Sequence, residues 1–231
     1  MNDCTLVIMA KAPTPGRVKT RLAECLPAAS IPELYRCLLH DTIALAQSLD
    51  GIETAIMSPA GDVEELSRIA GAGVTVVGQN GTGLGAALSS VFSHFTALGQ
   101  RRIVAFNSDS PHLPASALRA AFEALNSYEL VIGPTHDGGY YLVGATASHP
   151  GLFSSDALGT ASALEALLER ARSLAVSVCF TETFYDVDVD ADLSRLTEDL
   201  RSGPERAPRT AHWLRNWPCT APSQQVNGEN G

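Results

Sequence analysis

The chain of 231 residues is acidic, with a formal net charge of −9, and 45% of its residues are hydrophobic, enough for one sizeable core. The acidic balance and an aromatic content of 6% exclude a general nucleic-acid binder, which needs a broad basic face or stacking platforms. The five cysteines and six histidines show neither C-x-x-C nor zinc spacing, which is typical of a reducing compartment. No apolar segment reaches membrane-spanning length and no signal-peptide pattern is present, so we expect a cytoplasmic protein that binds no membrane.

Strand-like and helix-like segments alternate along the chain. The predicted strands are 5–9, 52–57, 74–77, 103–106, 129–133, 140–144 and 176–180. The predicted helices are 31–49, 63–70, 84–98, 114–125 and 162–174. This alternation predicts an α/β fold with a mostly parallel mixed sheet and helices on both faces.

We predict one domain over residues 1–200 and a C-terminal extension over residues 201–231. Apolar periodicity fades in the extension, and residues 218–231 are expected to be flexible. The polar segments considered next all follow predicted strands. Because ligands of parallel sheets bind beyond the carboxyl ends of the strands, these segments could share one crevice.

Basic residues are concentrated just after the first predicted strand. Lys11, Arg17, Lys19 and Arg21 lie there, and residues 4–23 contain no Asp or Glu. An acidic protein that gathers cations on one loop is suited to hold an anion there, with a phosphate-bearing ligand the natural expectation. The segment lacks the Gly-Lys-Thr ending of a Walker A loop, so backbone N–H groups and basic side chains would hold the phosphate. The alternative is a solvated loop that pairs with acids elsewhere.

A second polar segment, NSDSPHLP, begins where the strand 103–106 ends. Asn107 and Asp109 lie two residues apart and point the same way in extended chain. A carboxylate at this edge can hold Mg²⁺ or Mn²⁺, which bridges to substrate phosphates. Alternatively, Asp109 caps the turn before the next helix. His112 and His136 lie in or near such loops, where a histidine is more often structural or exposed than functional.

A third segment, DVDVDADL, carries Asp186, Asp188 and Asp190 at alternate positions. In a strand these carboxylates would share one face and repel each other unless a cation or solvent intervened. A metal site is one explanation. The other is a solvated turn in which Asp190 or Asp192 caps a short helix.

Two glycine-containing segments remain. THDGGYYLVG can form a hairpin turn, or its glycines can let the backbone approach a ligand, with Asp137 as the polar residue of interest. GTGLGA at 81–86 matches the dinucleotide fingerprint G-x-G-x-x-A, but the expected acidic residue after the next strand is displaced, and Arg101 and Arg102 lie in that region. An NAD(P)-binding oxidoreductase is therefore a competing hypothesis.

The segments AKAPTPGRVKTRL, NSDSPHLP, DGGYYLVG and DVDVDADL occur in this order and resemble a bacterial transferase family described as glycosyltransferase-A-like. That family is similar to 2-phospholactate guanylyltransferases and, more remotely, to molybdenum-cofactor guanylyltransferases. The resemblance covers residues 4–200. The guanylyltransferase pattern D-x-D-T-P-x-D-L matches at Asp186, Asp188 and Asp192, but Val189 and Asp190 replace Thr-Pro. The L-A-A-G-x-S-x-R-x-G start of many sugar nucleotidyltransferases is missing, which leaves the base and the reaction open.

The resemblance implies a nucleotide-diphospho-sugar transferase fold (GT-A, Rossmann-like) and the following site. Asp109 and Lys19 are the predicted catalytic residues. Asp109 and Asp188 are the predicted metal ligands for Mg²⁺ or Mn²⁺, with Asp186 as the alternative to Asp188. The predicted nucleotide-binding residues are Lys11, Ala12, Pro13, Gly16, Arg17, Lys19 and Arg21. The predicted substrate-binding residues are Asp137, Gly138, Gly139 and Tyr140.

The implied activity is transfer of a glycosyl or nucleotidyl group from a nucleotide or nucleotide-sugar donor to a small-molecule acceptor. A nucleotidyltransferase would release pyrophosphate, and a glycosyltransferase would release a nucleoside diphosphate. A non-catalytic nucleotide-binding module is a further hypothesis. No nucleic-acid partner is expected, and a homodimer is left open.

Overall fold

The computed structural model describes residues 3–154, 158 and 162–217. In this part of the chain, seven strands form one sheet with α-helices on both faces, which confirms the predicted α/β class. The strands are β1 Cys4–Met9, β2 Glu53–Ser58, β3 Thr75–Gly78, β4 Arg102–Asn107, β5 Leu130–Pro134, β6 Tyr140–Ala145 and β7 Val178–Phe180. The helices are α1 Ile31–Gln47, α2 Val63–Ala70, α3 Gly83–Ala97, α4 Ala115–Ala124, α5 Ala163–Ser173, α6 Asp190–Ser202 and α7 Pro208–Asn216. No helix among these residues is long and apolar enough to cross a membrane.

The strand order places a crevice beside β1. The order is β3-β2-β1-β4-β6-β5-β7, and β6 runs antiparallel to both of its neighbours, whereas the other paired strands are parallel. From β1 the chain proceeds outward through β2 to β3, then returns through α3 to β4 on the other side of β1. The connections after β1 and β4 therefore leave the sheet in opposite directions. Such a switch point opens a crevice at the carboxyl ends of the two strands.

The sheet separates two apolar layers, and β1 shows how the sequence produces them. Leu6 and Ile8 are fully buried in the layer that contains residues of α1, α2 and α4. Val7, also fully buried, lies in the layer that contains residues of α3 and α5. Because successive side chains of a strand point to opposite faces, a continuous apolar run fits a strand that is covered on both sides.

The acidic segment near residue 190 adopts the turn alternative and forms no strand. α6 begins at Asp190, and the Asp192 carboxylate accepts the backbone N–H groups of Asp188 and Val189 at 3.0 and 2.9 Å. An acidic side chain that binds free N–H groups at a helix start stabilises that helix end. The local geometry is therefore that of a helix cap, which leaves the Asp186 and Asp188 side chains available for other contacts.

The structure adds a helix, α7, that apolar periodicity did not predict. Asp41 of α1 is buried, and its carboxylate accepts the N–H groups of Arg209 and Thr210 at the start of α7, at 3.2 and 2.8 Å. Ala207 and Ala211 are buried in the same contact. The start of the predicted C-terminal extension thus packs on α1, whereas the predicted flexible residues 218–231 lie outside the described residues.

Candidate functional site

The basic segment after β1 is held in a fixed path by two buried side chains from other elements. Asp62 is 3% exposed and accepts the Ala12 N–H at 3.0 Å and the Arg17 guanidinium at 2.9 Å. The Tyr35 hydroxyl accepts the Lys11 N–H at 3.2 Å. Desolvation raises the pKa of this phenol, so Tyr35 is neutral near pH 7. The loop is therefore tied to the residue before α2 and to α1, which fixes where its remaining cations point.

A cavity of about 930 Å³ lies at the switch point between β1 and β4. Lys11, Arg17, Lys19 and Arg21 line it from the basic loop, and Asp109 lines it from the end of β4. Its volume falls at the upper end of the range that small-molecule and cofactor sites occupy. The prediction that the basic and acidic segments share one crevice is confirmed for these residues.

Lys19 lies at the centre of the charged wall. Its side chain is 4% exposed, and its Nζ lies 2.7 Å from Asp109 Oδ2 and 3.8 Å from Asp188 Oδ1. The Arg21 guanidinium contacts Asp188 Oδ2 at 2.7 Å but is largely exposed. Two acidic segments from distant parts of the sequence therefore meet around one buried ammonium group.

Asp109 is oriented by local hydrogen bonds and by the segment that carries the second carboxylate. Its N–H donates to Asn107 Oδ1 at 3.3 Å, and the Ser108 hydroxyl donates to its Oδ1 at 3.2 Å. Its backbone carbonyl accepts the Val187 N–H at 3.2 Å. This last bond joins the connection after β4 to the Asp186–Asp188 segment, so the two carboxylates are held in a defined relation.

Asp186 is a further acid beside this pair. Burial raises the pKa of its carboxyl to about 6, the nearby Lys19 ammonium opposes this shift, and the Asp109 carboxylate adds to it. Asp137, at the β5–β6 turn, shows the opposite behaviour. The Thr135 hydroxyl lowers its pKa most, with contributions from the Gly139 N–H and from the Arg21 charge. Asp186, which interacts with Lys19, and Asp137, which interacts with Arg21, therefore differ in protonation behaviour.

Asp186→Asn is expected to stabilise the protein near pH 7.5 when divalent cations are absent. The folded-state pKa of Asp186, about 6, lies above the ordinary value of 3.8. The folded state therefore binds this proton more tightly than the unfolded state, and the stability that this gives the wild type is lost as the pH rises through about 6. Asparagine does not ionise. Near pH 7.5 the free energy of unfolding of the variant should therefore exceed that of wild type by an amount on the order of 1–3 kcal/mol, at about 1.4 kcal/mol per pKa unit.

Urea denaturation with chelator present, at about pH 4 and about pH 7.5, measures this difference. The difference in free energy of unfolding between variant and wild type should be close to zero at the lower pH and should reach its full size at the higher pH. Asp190→Asn, in the same segment but exposed, is the matched control and should change little. An equal gap at both pH values would show that ionisation of Asp186 is not its cause.

The other predicted nucleotide-binding residues are Ala12, Pro13 and Gly16. They belong to the basic loop but are not among the residues that line the cavity. Ala12 is buried against Asp62. Gly16 has φ of +73°, a conformation that glycine adopts without strain. Pro13 is buried and Gly16 is exposed, and neither is among the described residues that line the cavity. A direct nucleotide contact from these three residues stays a prediction.

The predicted substrate-binding residues lie at the turn between β5 and β6, outside the lining of the cavity. Asp137 accepts the Thr135 hydroxyl at 2.5 Å, and the Gly138 carbonyl accepts the N–H of Leu164. The Tyr140 hydroxyl is buried without a hydrogen-bond partner among the described residues. The turn is therefore a hairpin, as one alternative expected, and its link to the cavity is the electrostatic effect of Arg21 on Asp137.

The two histidines take the structural and exposed positions that such residues usually occupy. His112 is buried against the Tyr185 ring with a centroid distance of 4.2 Å, and burial lowers its pKa to about 4. Its ring is therefore neutral at physiological pH. His136 is exposed.

Sequence reasoning assigned the glycine-rich segment 81–86 to a competing function, whereas the structure places it in the same cavity. Gln79, Gly81, Thr82 and Gly83 line this cavity, just before and at the start of α3. The sequence feature that could have placed this segment at the site is its position between a predicted strand and a predicted helix. Tyr35 and Asp62, which anchor the basic loop, carried no sequence signal because their roles depend on contacts with distant residues.

The carboxylates present fit a divalent cation that is shared with a phosphate. Asp109 and Asp188 offer the hard oxygen ligands that Mg²⁺ and Mn²⁺ prefer, and both contact a cation, Lys19, in this structure. Within the described residues, no group of three or more His, Cys, Asp or Glu side chains converges as a complete metal site.

Comparison with solved structures defines the class of fold. A crystal structure of a candidate nucleotide-diphospho-sugar transferase from Desulfovibrio desulfuricans G20 is 28% identical, with a TM-score of 0.85, and the match covers 93% of this chain and 95% of that one. A 4-diphosphocytidyl-2C-methyl-D-erythritol synthase from Anaerococcus prevotii DSM 20548 is 12% identical, with a TM-score of 0.54 and coverage of 86% and 96%. A CMP:2-keto-3-deoxy-manno-octonic acid synthetase complexed with CTP is also 12% identical, with a TM-score of 0.56 and coverage of 87% and 99%. The chain thus has the fold of nucleotide-diphospho-sugar transferases, and the last two similarities concern the fold alone.

The chain belongs to the family described as an uncharacterized protein conserved in bacteria (DUF2064), which it matches over residues 42–160. This range contains the glycine-rich segment, Asp109 and the β5–β6 turn. The basic loop and Asp188 lie outside it. No curated protein matches the chain. The similarity to guanylyltransferases stays a prediction.

Proposed function

We propose that this protein is a metal-dependent transferase that binds a nucleotide or nucleotide-sugar and transfers its glycosyl group to a small-molecule acceptor. The observation that carries the proposal is the pairing of Lys19 with Asp109 and Asp188 at one wall of a 930 Å³ cavity. Such a wall offers both cations for phosphate and carboxylates for a metal. The 28% identical structure named as a candidate nucleotide-diphospho-sugar transferase supports the same class.

The cavity has two chemically different walls, which suits a donor with a charged and an uncharged part. Lys11, Lys19 and Arg21 form a cationic wall for the diphosphate. A second wall, which contains Gln79, Gly81, Thr82 and Gly83, is uncharged and carries hydroxyl and amide groups beside the start of α3. The uncharged nucleoside part of the donor would lie along this second wall. Its polar groups would need hydrogen-bond partners on binding, which the wall offers, but no opposite charge.

Asp109 and Asp188 would hold Mg²⁺ or Mn²⁺ together with the donor phosphates. When bound, this ion neutralises the charge that develops on the leaving diphosphate. Lys19 and Arg21 add fixed positive charge at the same place, and the buried position of Lys19 makes its charge act in a poorly screened environment. In the transfer, the acceptor hydroxyl oxygen forms a bond to the sugar carbon as the bond from that carbon to the diphosphate oxygen breaks, and the hydroxyl proton passes to the leaving diphosphate or to solvent.

Nucleotidyl transfer is the second candidate function, because the same charged groups could serve it. The synthetase crystallised with CTP and the diphosphocytidyl synthase share the fold of this chain. In this reaction an acceptor oxygen attacks the α-phosphate of a nucleoside triphosphate, and pyrophosphate leaves. A guanylyltransferase-like enzyme would belong here. The same cations and carboxylates serve both reactions, so the fold does not distinguish them.

The oxidoreductase hypothesis has less support. Gly81, Thr82 and Gly83 line the cavity, but Asp109 lies later than the acidic residue of a dinucleotide site and contacts Lys19. A non-catalytic nucleotide-binding module would bind the donor without turnover.

The leaving group distinguishes these functions. The protein is incubated with Mg²⁺ or Mn²⁺, a panel of nucleoside triphosphates and nucleotide-sugars, and a metabolite extract as acceptor source. We expect release of a nucleoside diphosphate from one nucleotide-sugar, and loss of this signal with chelator. Pyrophosphate release from one triphosphate would replace glycosyl transfer with nucleotidyl transfer. Reduction of a nicotinamide cofactor, or tight donor binding without any turnover, would overturn both transferase proposals.

A further inference from the structure

Lys19 occupies an unusual position for a phosphate-binding side chain. Its side chain is 4% exposed, whereas the Arg21 side chain, which contacts the same Asp188, is 66% exposed. An ammonium group is seldom buried unless it is paired, and here Asp109 and Asp188 pair with it. Lys19 is thus turned inward onto the carboxylates that would bind a metal.

The backbone at Lys19 is left-handed. Lys19 has φ of +47° and ψ of +41° and is one of two non-glycine residues with positive φ among those described. A left-handed conformation at a residue with a Cβ is strained and persists only where surrounding contacts impose it. The contacts present are the two carboxylates, with Leu22 buried in the turn that follows.

We propose that Lys19 is the resident counter-cation of the Asp109–Asp188 pair, and that it is exchanged for the divalent cation when the nucleotide binds. The inference rests on the metal and nucleotide sites of the proposed function. Without a nucleotide, the ammonium group competes with the metal for Asp109. Phosphates of an incoming nucleotide attract Lys19 away from the carboxylates, which frees them for the metal. Metal and nucleotide therefore bind cooperatively, and each raises the affinity for the other by the same factor.

The balance of charge explains why a resident cation is needed. Asp109, Asp186 and Asp188 lie around Lys19, and Asp186 interacts electrostatically with both Lys19 and Asp109. Without Lys19, these carboxylates would face each other with only the exposed Arg21 nearby. Like charges that share one partly buried site repel each other, and a divalent cation would relieve this repulsion.

The test is a binding measurement, with Mn²⁺ alone as the probe and its free concentration followed by electron paramagnetic resonance. Lys19→Met removes the charge and keeps the length of the side chain. We expect it to bind Mn²⁺ without nucleotide about tenfold more tightly than wild type, within the usual range of coupling between sites. Arg21→Met is the matched control, because its charge contacts the same carboxylate but is screened by solvent, and we expect a change of less than about threefold.

A second titration adds the nucleotide identified in the donor panel. On saturation with nucleotide, wild type should gain Mn²⁺ affinity by a factor about tenfold larger than the factor for Lys19→Met, because contact of the phosphates with the metal remains in both proteins. Lys19→Gln should behave as Lys19→Met does, which guards against a folding defect in one variant. Melting curves confirm that all variants are folded.

The outcomes separate this inference from the proposed function. Suppose that wild type binds Mn²⁺ in the presence of nucleotide, but that in the absence of nucleotide Lys19→Met and wild type bind Mn²⁺ equally tightly. The counter-cation role is then wrong and the metal site stands. If Lys19→Met and Arg21→Met tighten Mn²⁺ binding equally, general charge explains the effect and the exchange is wrong. If wild type binds no Mn²⁺ with or without nucleotide, the inference and the metal dependence of the proposed function both fall.

Discussion

Asp109→Asn is expected to reduce turnover by about 100-fold or more, the scale that the loss of one stabilising group at a reacting phosphate reaches. The carboxylate contacts the Lys19 ammonium at 2.7 Å and is one of the two proposed metal ligands. Asparagine has the same shape but no charge, so it binds a divalent cation far less well. Steady-state kinetics measures the effect, with the donor from which the panel experiment detects release of a nucleoside diphosphate.

The fold should survive this substitution. Asparagine can still accept the hydroxyl of Ser108, and the backbone bond from Val187 to residue 109 does not involve the side chain. Asp188 still lies 3.8 Å from the Lys19 ammonium, so loss of the closer partner should lower the thermal midpoint without unfolding the protein. Asp50→Asn, at an exposed position after α1, is the matched control and should retain full activity. Normal turnover per folded molecule in Asp109→Asn, with reduced stability, would assign Asp109 a structural role only.

Lys19→Met is expected to weaken nucleotide binding by about 1–3 kcal/mol, the usual contribution of a charge-assisted hydrogen bond. Lys19 is the buried cation of the cavity wall, so its charge acts on a phosphate with less screening than the charges of exposed residues. Calorimetric titration with the nucleotide at saturating Mg²⁺ measures this loss.

Arg36→Met serves as the control for a general loss of positive charge. Arg36 lies on α1 and contacts Glu65 across the surface at 3.8 Å, away from the cavity lining. We expect its nucleotide affinity to be unchanged. Equal losses of affinity in both variants would show that net charge, and not a contact from Lys19, determines binding.

The order of strands and helices could be predicted from the sequence because it depends on local patterns. Apolar runs such as 5–9 and the helical stripe from Leu84 to Leu98 have periodicities that match β1 and α3 to within a few residues. The basic segment and Asp109 were also visible, since each follows a strand and carries charges that a core cannot bury alone. The α/β class follows from these patterns.

Local patterns failed where distant residues decide the structure. The residues of α7 carry a weak apolar stripe, and the helix is held at its start by the buried carboxylate of Asp41. The alternate aspartates at 186–190 suggested a strand face, but Asp192 binds the N–H groups of Asp188 and Val189 and begins a helix. In both cases a carboxylate that satisfies free backbone N–H groups determines the outcome.

The sequence by itself determined the fold class and the three charged segments of the site, because composition and periodicity depend on neighbours along the chain. Only the tertiary structure decided that Lys19 lies buried beside Asp109 and Asp188 and that the glycine-rich segment lines the same cavity. It also decided that Asp62 and Tyr35 fix the basic loop. The physical reason is that burial and charge pairing are properties of groups close in space, and the sheet order brings these groups together at one switch point.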